Sequence, residues 1–240
     1  VISFPAMAQA MLGKKLIMPD IDFRFTREVM IDELAKVFHE FGITTREVAS
    51  AWDAALAAQK DFLRQRYETG KKILEELERG QKTGIVCVGR PYNLYDRVIN
   101  LNLPEHLRAE DAVAFPFEYL IDPDDNESDI PHVYWNYGER ILHAAQKIRG
   151  LKNVYPVYFT NFGCGPDSFI LSRFEKIMQG KPYLIVELDE HGSDTGYLTR
   201  IEAFFDVVRR QKRDSEWQEG QAEHFNSFWN RRDRKLWMPP

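Results

Sequence analysis

In Gly163-Cys164-Gly165-Pro166-Asp167-Ser168 a thiol stands between two glycines, just ahead of a helical pattern. Glycines let another group approach the backbone closely, and a helix N-terminus favours the thiolate. Both properties suit a metal- or cluster-ligating sulfur. The same residues also suit a plain turn in which Cys164 fills a small space and Asp167 or Ser168 caps the helix. A second segment, Gly89-Arg90-Pro91-Tyr92-Asn93, follows an apolar run and matches neither the GxGxxG nor the GxxxxGK[ST] phosphate loop. Arg90 has the fork geometry to clamp a carboxylate or phosphate, and it can equally pair with Asp96 or Asp189. A third segment gathers Glu187, Asp189, Glu190, His191 and Asp194. Such a loop either binds a divalent cation or stays solvated and paired with Arg90, Arg173 or Arg200. Cys87, between Val86 and Val88, reads as core, and His132 and His143 lack partners at ligand spacing.

These segments need a scaffold that brings them to one place. Thr83 to Gly89, Ala112 to Phe117, Tyr155 to Thr160 and Tyr183 to Glu187 are short apolar runs without polar alternation, as expected of strands buried on both faces. Helical patterns at Tyr134 to Lys147 and Ser168 to Met178 separate them, and another at Thr199 to Arg210 follows the last. This alternation predicts an α/β fold: an open, doubly wound parallel sheet of about four or five strands with right-handed crossovers. Ligands bind such sheets outside the carboxyl ends of the strands, where the three segments fall.

Ahead of the sheet the sequence predicts an N-terminal helical arm that includes one long helix. Lys15 to Pro19 reads as a strand remnant ended by proline. Arg27 to Phe41 carries apolar residues at helical spacing and ends at Gly42. Thr44 and Glu47 have the spacing of a capping box and open a helix running toward Gly80. Beyond Gln211 the chain is polar with isolated aromatics. The expected divisions are therefore a partial strand and helical arm at 1–80, the α/β domain at 81–212 and a polar C-terminal extension at 213–240.

Composition narrows the partners. The 240 residues carry a net charge of −5 with the two signs interspersed, which gives no basic stripe and argues against nucleic acid. No stretch is apolar for long enough to span a membrane, and no signal peptide is evident, so a cytoplasmic location is expected. Two cysteines make no disulfide framework. The opening at Val1 suggests that the natural start lies upstream.

Four stretches taken together resemble one family: Val88 to Asn93, Asn161 to Phe169, Lys181 to His191, and Thr199 to Phe204. It is the acyl-CoA dehydratase activase-related group, often described as CoA-substrate-specific enzyme activase. The resemblance runs through roughly residues 81 to 210; the earlier helices are similar in pattern only. It implies a relative of the 2-hydroxyacyl-CoA dehydratase subunits and double-cubane cluster proteins, which hold iron–sulfur clusters of the 4Fe–4S kind through cysteines and work with an ATPase.

On that resemblance Cys164 is the cluster and metal ligand candidate, while their place just beyond the strand ends makes Arg90, Tyr92, Asn93, Asp167, Ser168, Glu190 and His191 the ligand-binding candidates. The remaining ligating cysteines are expected in an upstream α/β domain, because a three-cysteine site cannot be assembled from Cys87 and Cys164. The chain is then the C-terminal part of an iron–sulfur protein of an ATP-dependent electron-transfer or dehydratase-type system. The cluster is expected only in the full-length protein, and none in the isolated chain. Its partners would be the upstream domain, the ATPase activase component and an acyl-CoA. Two alternatives stay open: a non-catalytic module that binds a CoA-type ligand or an activase partner, and a docking domain of a larger chain.

Overall fold

The computed structural model describes residues 4–80, 82–125, 133–189 and 195–231, with side chains up to residue 214. The chain divides into two compact units, Val1–Arg64 and Gln65–Pro240.

The first unit is helical. Helix α1 (Phe4–Leu12) is followed by irregular chain, so the strand remnant expected at Lys15 to Pro19 does not form. An apolar run gains strand hydrogen bonds only where a neighbouring strand accepts them, and none lies beside this one among the described residues. Helix α2 (Arg27–Phe38) passes through one 3-10 turn to Gly42, whose φ of 76° is the left-handed stop that glycine adopts freely. Helix α3 (Thr45–Arg79) opens with the capping box: the Thr44 backbone N–H donates to Glu47 Oε2 at 2.8 Å, and the Glu47 N–H donates to Thr44 Oγ1 at 3.3 Å. Arg27 Nε holds Asp53 Oδ1 at 2.7 Å, and Phe23 stacks on Trp52.

The second unit begins within α3 and is a three-layer α/β structure. Strand β1 (Thr83–Gly89) leads through α4 (Pro91–Tyr95) and α5 (Leu103–Ala109) to β2 (Ala112–Pro116). Helix α6 (Asn136–Gly150) leads to β3 (Val154–Asn161), α7 (Gly165–Met178) to β4 (Leu184–Leu188), and α8 (Thr195–Arg231) follows. The last helix runs past Arg210, where the sequence had suggested an end. The sheet is four-stranded in the order β2-β1-β3-β4, and every pairing is parallel.

Burial on both faces explains the uninterrupted apolar strands. Ile85, Val86, Val88, Val157, Tyr158 and Phe159 are all fully buried. Helices α6 and α7 pack together, as do α5 and α8, which suits right-handed crossovers placing the two pairs on opposite faces. The half of α3 beyond residue 64 joins this core through Leu77, with Ile73 and Leu74 partly covered. At Gly70 its backbone lies so close to Tyr119 that any side chain would collide with the Tyr119 carbonyl.

Candidate functional site

From β1 the chain turns outward to β2, and from β3 it turns the other way to β4. The carboxyl ends of β1 and β3 therefore flank the topological switch point, where an open α/β sheet has its natural crevice. Their last pairing in register joins Gly89 to Phe159. Gly89 has a φ of 153°, and a side chain there would run into the Phe159 carbonyl. Glycine lets the end of β1 lie against β3 and carries Arg90 into the crevice.

Arg90 does not pair with Asp96 or Asp189, the partners suggested by sequence. Its Nε donates to Asp167 Oδ1 at 3.0 Å, with the two side chains 13% and 1% exposed. Asp96 instead accepts from the backbone of Val98 and Ile99, while Asp189 is met by the Tyr197 hydroxyl. The other oxygen of Asp167 accepts from Thr160 Oγ1 at 2.7 Å, and Thr160 is itself buried on β3. Asp167 is thus no helix cap. It is a buried carboxylate gripped from the ends of β1 and β3 together.

Cys164 occupies the N-cap position of α7 with no side-chain capping bond, after Gly163 in the left-handed region at φ 71°. Its side chain is half-buried, whereas Cys87 is enclosed in β1, where burial pushes its thiol up to about 12. Ser168 turns back locally: its hydroxyl donates to the Cys164 carbonyl at 2.8 Å. Tyr92 and Tyr158 close the group. Burial raises the Tyr92 phenol, helped by Cys164 beside it and opposed by Arg90. Burial likewise raises Tyr158, with Asp167 adding to it; the hydroxyl stands near that carboxylate without making a hydrogen bond of normal geometry. Asn93, fully buried on α4, donates from Nδ2 to the Phe159 carbonyl at 3.4 Å, while its Oδ1 and Arg90 Nη2 have no hydrogen-bond partner.

The structure therefore gathers Arg90, Tyr92, Cys164 and Asp167 at the switch point, with Asn93 beneath. Glu190 and His191 lie outside the described residues, as do Asp194 and His132. Glu187 is exposed, and His143 pairs with Asp125 Oδ2 at 3.4 Å while burial lowers its pKa. Among the described residues no group of three or more His, Cys, Asp or Glu side chains converges to hold a metal ion.

A second polar centre at this edge escaped the sequence reading. Glu118 follows β2 and is only 3% exposed. Tyr95 donates to its Oε2 at 3.1 Å and Tyr137 to its Oε1. Burial, then the carboxylate, raises the Tyr95 phenol; burial, then its hydrogen bond to Glu118, raises Tyr137. Arg66 on α3 lies near enough to Tyr95 to oppose that rise. The signal was an acid in the apolar stretch Phe117-Glu118-Tyr119-Leu120 just beyond a strand end.

Residues 1–120 match the family described as the CoA enzyme activase uncharacterised domain (DUF2229). The chain belongs to this family. No curated protein and no solved structure matches it. The matched span takes in both the helical arm and the first two strands, so the likeness is not confined to the stretch from about residue 81 onward that the motifs suggested. It includes Arg90, Tyr92, Asn93 and Glu118 and ends before Cys164. Among the described residues no helix is long and apolar enough to cross a membrane.

Proposed function

We propose that this chain is a component of an ATP-dependent dehydratase-type electron-transfer system and that Cys164 supplies one thiolate to an iron–sulfur cluster completed from outside the chain. Membership of a CoA enzyme activase family supports the system. The contrast between the two cysteines carries the assignment within it. Cys87 is sealed in a central strand, while Cys164 is half-buried at a helix N-terminus on the switch-point rim. The described residues fit one corner of such a cluster and no more, since no group of three or more His, Cys, Asp or Glu side chains converges among them. When bound, the cluster would supply one-electron chemistry. The chain's own part is to hold the Cys164 sulfur at the rim, fix the first turn of α7 through Asp167, and present Tyr92 beside it.

A second reading, a docking module for the ATPase component or an upstream domain, is favoured by the aromatic rim. Phe162, Phe169 and Tyr134 are 76%, 70% and 88% exposed, far more than large apolar side chains need to be. Arg90 is a poor clamp for the phosphates of an acyl-CoA on either reading, because it is buried and committed to Asp167.

Iodoacetamide labelling of the native chain should modify Cys164 and spare Cys87. Anaerobic reconstitution of the full-length protein should then give iron–sulfur absorbance that Cys164→Ser weakens or removes without loss of helical circular dichroism. Equal protection of both cysteines, or unchanged absorbance in the variant, would leave the docking reading in its place.

A further inference from the structure

We infer that Arg90 is a positioning residue for Cys164: through Asp167 it locks the first turn of α7 to the end of β1 and so sets where the sulfur stands. The inference deepens the thiolate reading above and rests on it for its functional meaning.

The geometry supports a lock rather than a ligand clamp. A surface arginine that receives substrate keeps its guanidinium in water, but the Arg90 side chain is 13% exposed and its Nε is spent on Asp167. Asp167 lies three residues after Cys164, within the same opening turn. A helical turn is stiff, so a carboxylate fixed at that position fixes the N-cap too. Thr160 supplies the second anchor at 2.7 Å, from the strand that delivers the chain to Gly163 and Cys164. Side-chain packing adds little around those two residues: an added side chain at Gly163 or Gly165 would meet open space, and the Phe162 ring is mostly exposed. Backbone bonds hold the segment as well: the Phe162 N–H donates to the Leu188 carbonyl of β4 at 2.9 Å, the Cys164 N–H to the Asn161 carbonyl of β3 at 3.0 Å, and the Cys164 carbonyl accepts from the Ser168 N–H at 3.0 Å and from its hydroxyl. These bonds shape the turn and tie it to β3 and β4, but none of them reaches β1. The pair with Arg90 is the link to β1.

Tyr92 extends the same logic. It lies two residues beyond Arg90, close to both Cys164 and Asp167. Rotation of the α7 turn would therefore change the sulfur's distance from a phenol and a guanidinium at once. Arg90 is in this sense distinct from a residue that only adds stability.

The test reads sulfur chemistry without iron. The rate of Cys164 alkylation by iodoacetamide is measured against pH in the native chain, in Arg90→Lys, in Thr160→Val, in Asp167→Asn and in the Arg90→Lys/Asp167→Asn double variant. Lysine keeps the charge but loses the directed Nε donor, and valine keeps the shape of Thr160 while removing one anchor. Alkylation by a free reagent follows the exposure and thiolate fraction of the sulfur, so Arg90→Lys should change the rate on the order of tenfold and move the midpoint of its pH profile. Cys87 should stay protected in every variant. Combining Arg90→Lys with Asp167→Asn should add nothing to Asp167→Asn alone, because both break the same link.

If Asp167→Asn fails to fold, Arg90→Lys alone carries the test, with Thr160→Val as the variant that removes the other anchor. A lowered melting temperature with an unchanged rate and pH midpoint in Arg90→Lys would overturn the inference, as would strictly additive effects. The two readings fail separately. Cluster absorbance that survives Cys164→Ser removes the ligand role and leaves the lock intact, while unaltered alkylation in Arg90→Lys removes the lock and leaves the ligand role untouched.

Discussion

The two ends of the sheet are built differently. At the amino end the chain ties polar side chains to backbone carbonyls, with one buried oxygen, Gln211 Oε1, left without a partner. Lys181 Nζ donates to the carbonyl of Ile148 at 2.6 Å and to that of Leu151, closing the last turn of α6. Asn153, held at a φ of 54°, donates from Nδ2 to the Lys82 carbonyl at 2.8 Å and ties the starts of β1 and β3 together. At the carboxyl end Arg90 Nη2, Asn93 Oδ1 and the Tyr158 hydroxyl are buried without hydrogen-bond partners. Among the described residues of the second unit, every strongly exposed large apolar side chain except Val207 also lies at this end. A fold gains nothing from such groups, so the difference separates the edge that secures the structure from the edge available for chemistry and contact.

The largest effect should come from Asp167. Asp167→Asn leaves a buried guanidinium without its counter-charge, at a cost of about 3–5 kcal/mol read from the urea midpoint. Loss of under about 1 kcal/mol would mean that the pair is solvated and the carboxyl edge less tightly built than described. At the opposite end Lys181→Met removes charge-assisted bonds to carbonyls and should cost about 2 kcal/mol, with Cys164 alkylation unchanged. A changed alkylation rate there would break the division between the two ends.

A pH titration of stability sharpens the contrast next. Cys87 in its strand and the phenols of Tyr95, Tyr137 and Tyr158 near the carboxyl edge all have raised pKa values, chiefly through burial. Above about pH 9 the unfolded chain releases these protons while the folded chain keeps them, so the folded state binds more and stability falls as pH rises. The Cys87 share is fully present below about pH 9 and is lost on the way to about 12. Cys87→Ala and Tyr158→Phe should each flatten the alkaline decline measured by chemical denaturation. The smallest effect is expected on the aromatic rim, where Phe169→Ser should change stability by no more than about 0.5 kcal/mol. A greater loss would show that this ring, 70% exposed, is part of the core after all.

Most of the α/β architecture was legible because β1 and β3 are buried on both faces and so carry unbroken apolar runs. The Thr44–Glu47 box was legible because both of its bonds are local. What escaped was non-local. Leu16-Ile17-Met18 has the composition of a strand, but no partner strand lies beside it among the described residues. Arg90 and Asp167 are 77 residues apart, and Asp167 in a Gly-Pro-Asp-Ser turn reads naturally as a cap. Glu118 was passed over because one acid in an apolar stretch looks like an interruption, although burial makes it a centre that collects two phenols.

The strand order also has a consequence for how the molecule is made. Strand β1 pairs with β2 soon after both leave the ribosome, since Thr83 meets Ala112, but its other edge waits for Val154 to reach Gly84. Some forty residues separate the two arrivals, roughly 2–8 seconds at typical synthesis rates of about 5–20 residues per second. For that interval Ile85, Cys87 and Val88, later the most sheltered part of the sheet, present a bare apolar edge of the kind that pairs with the wrong chain. Chaperone dependence and aggregation during expression should therefore respond to how quickly β3 follows β2, even in variants whose finished stability is unchanged.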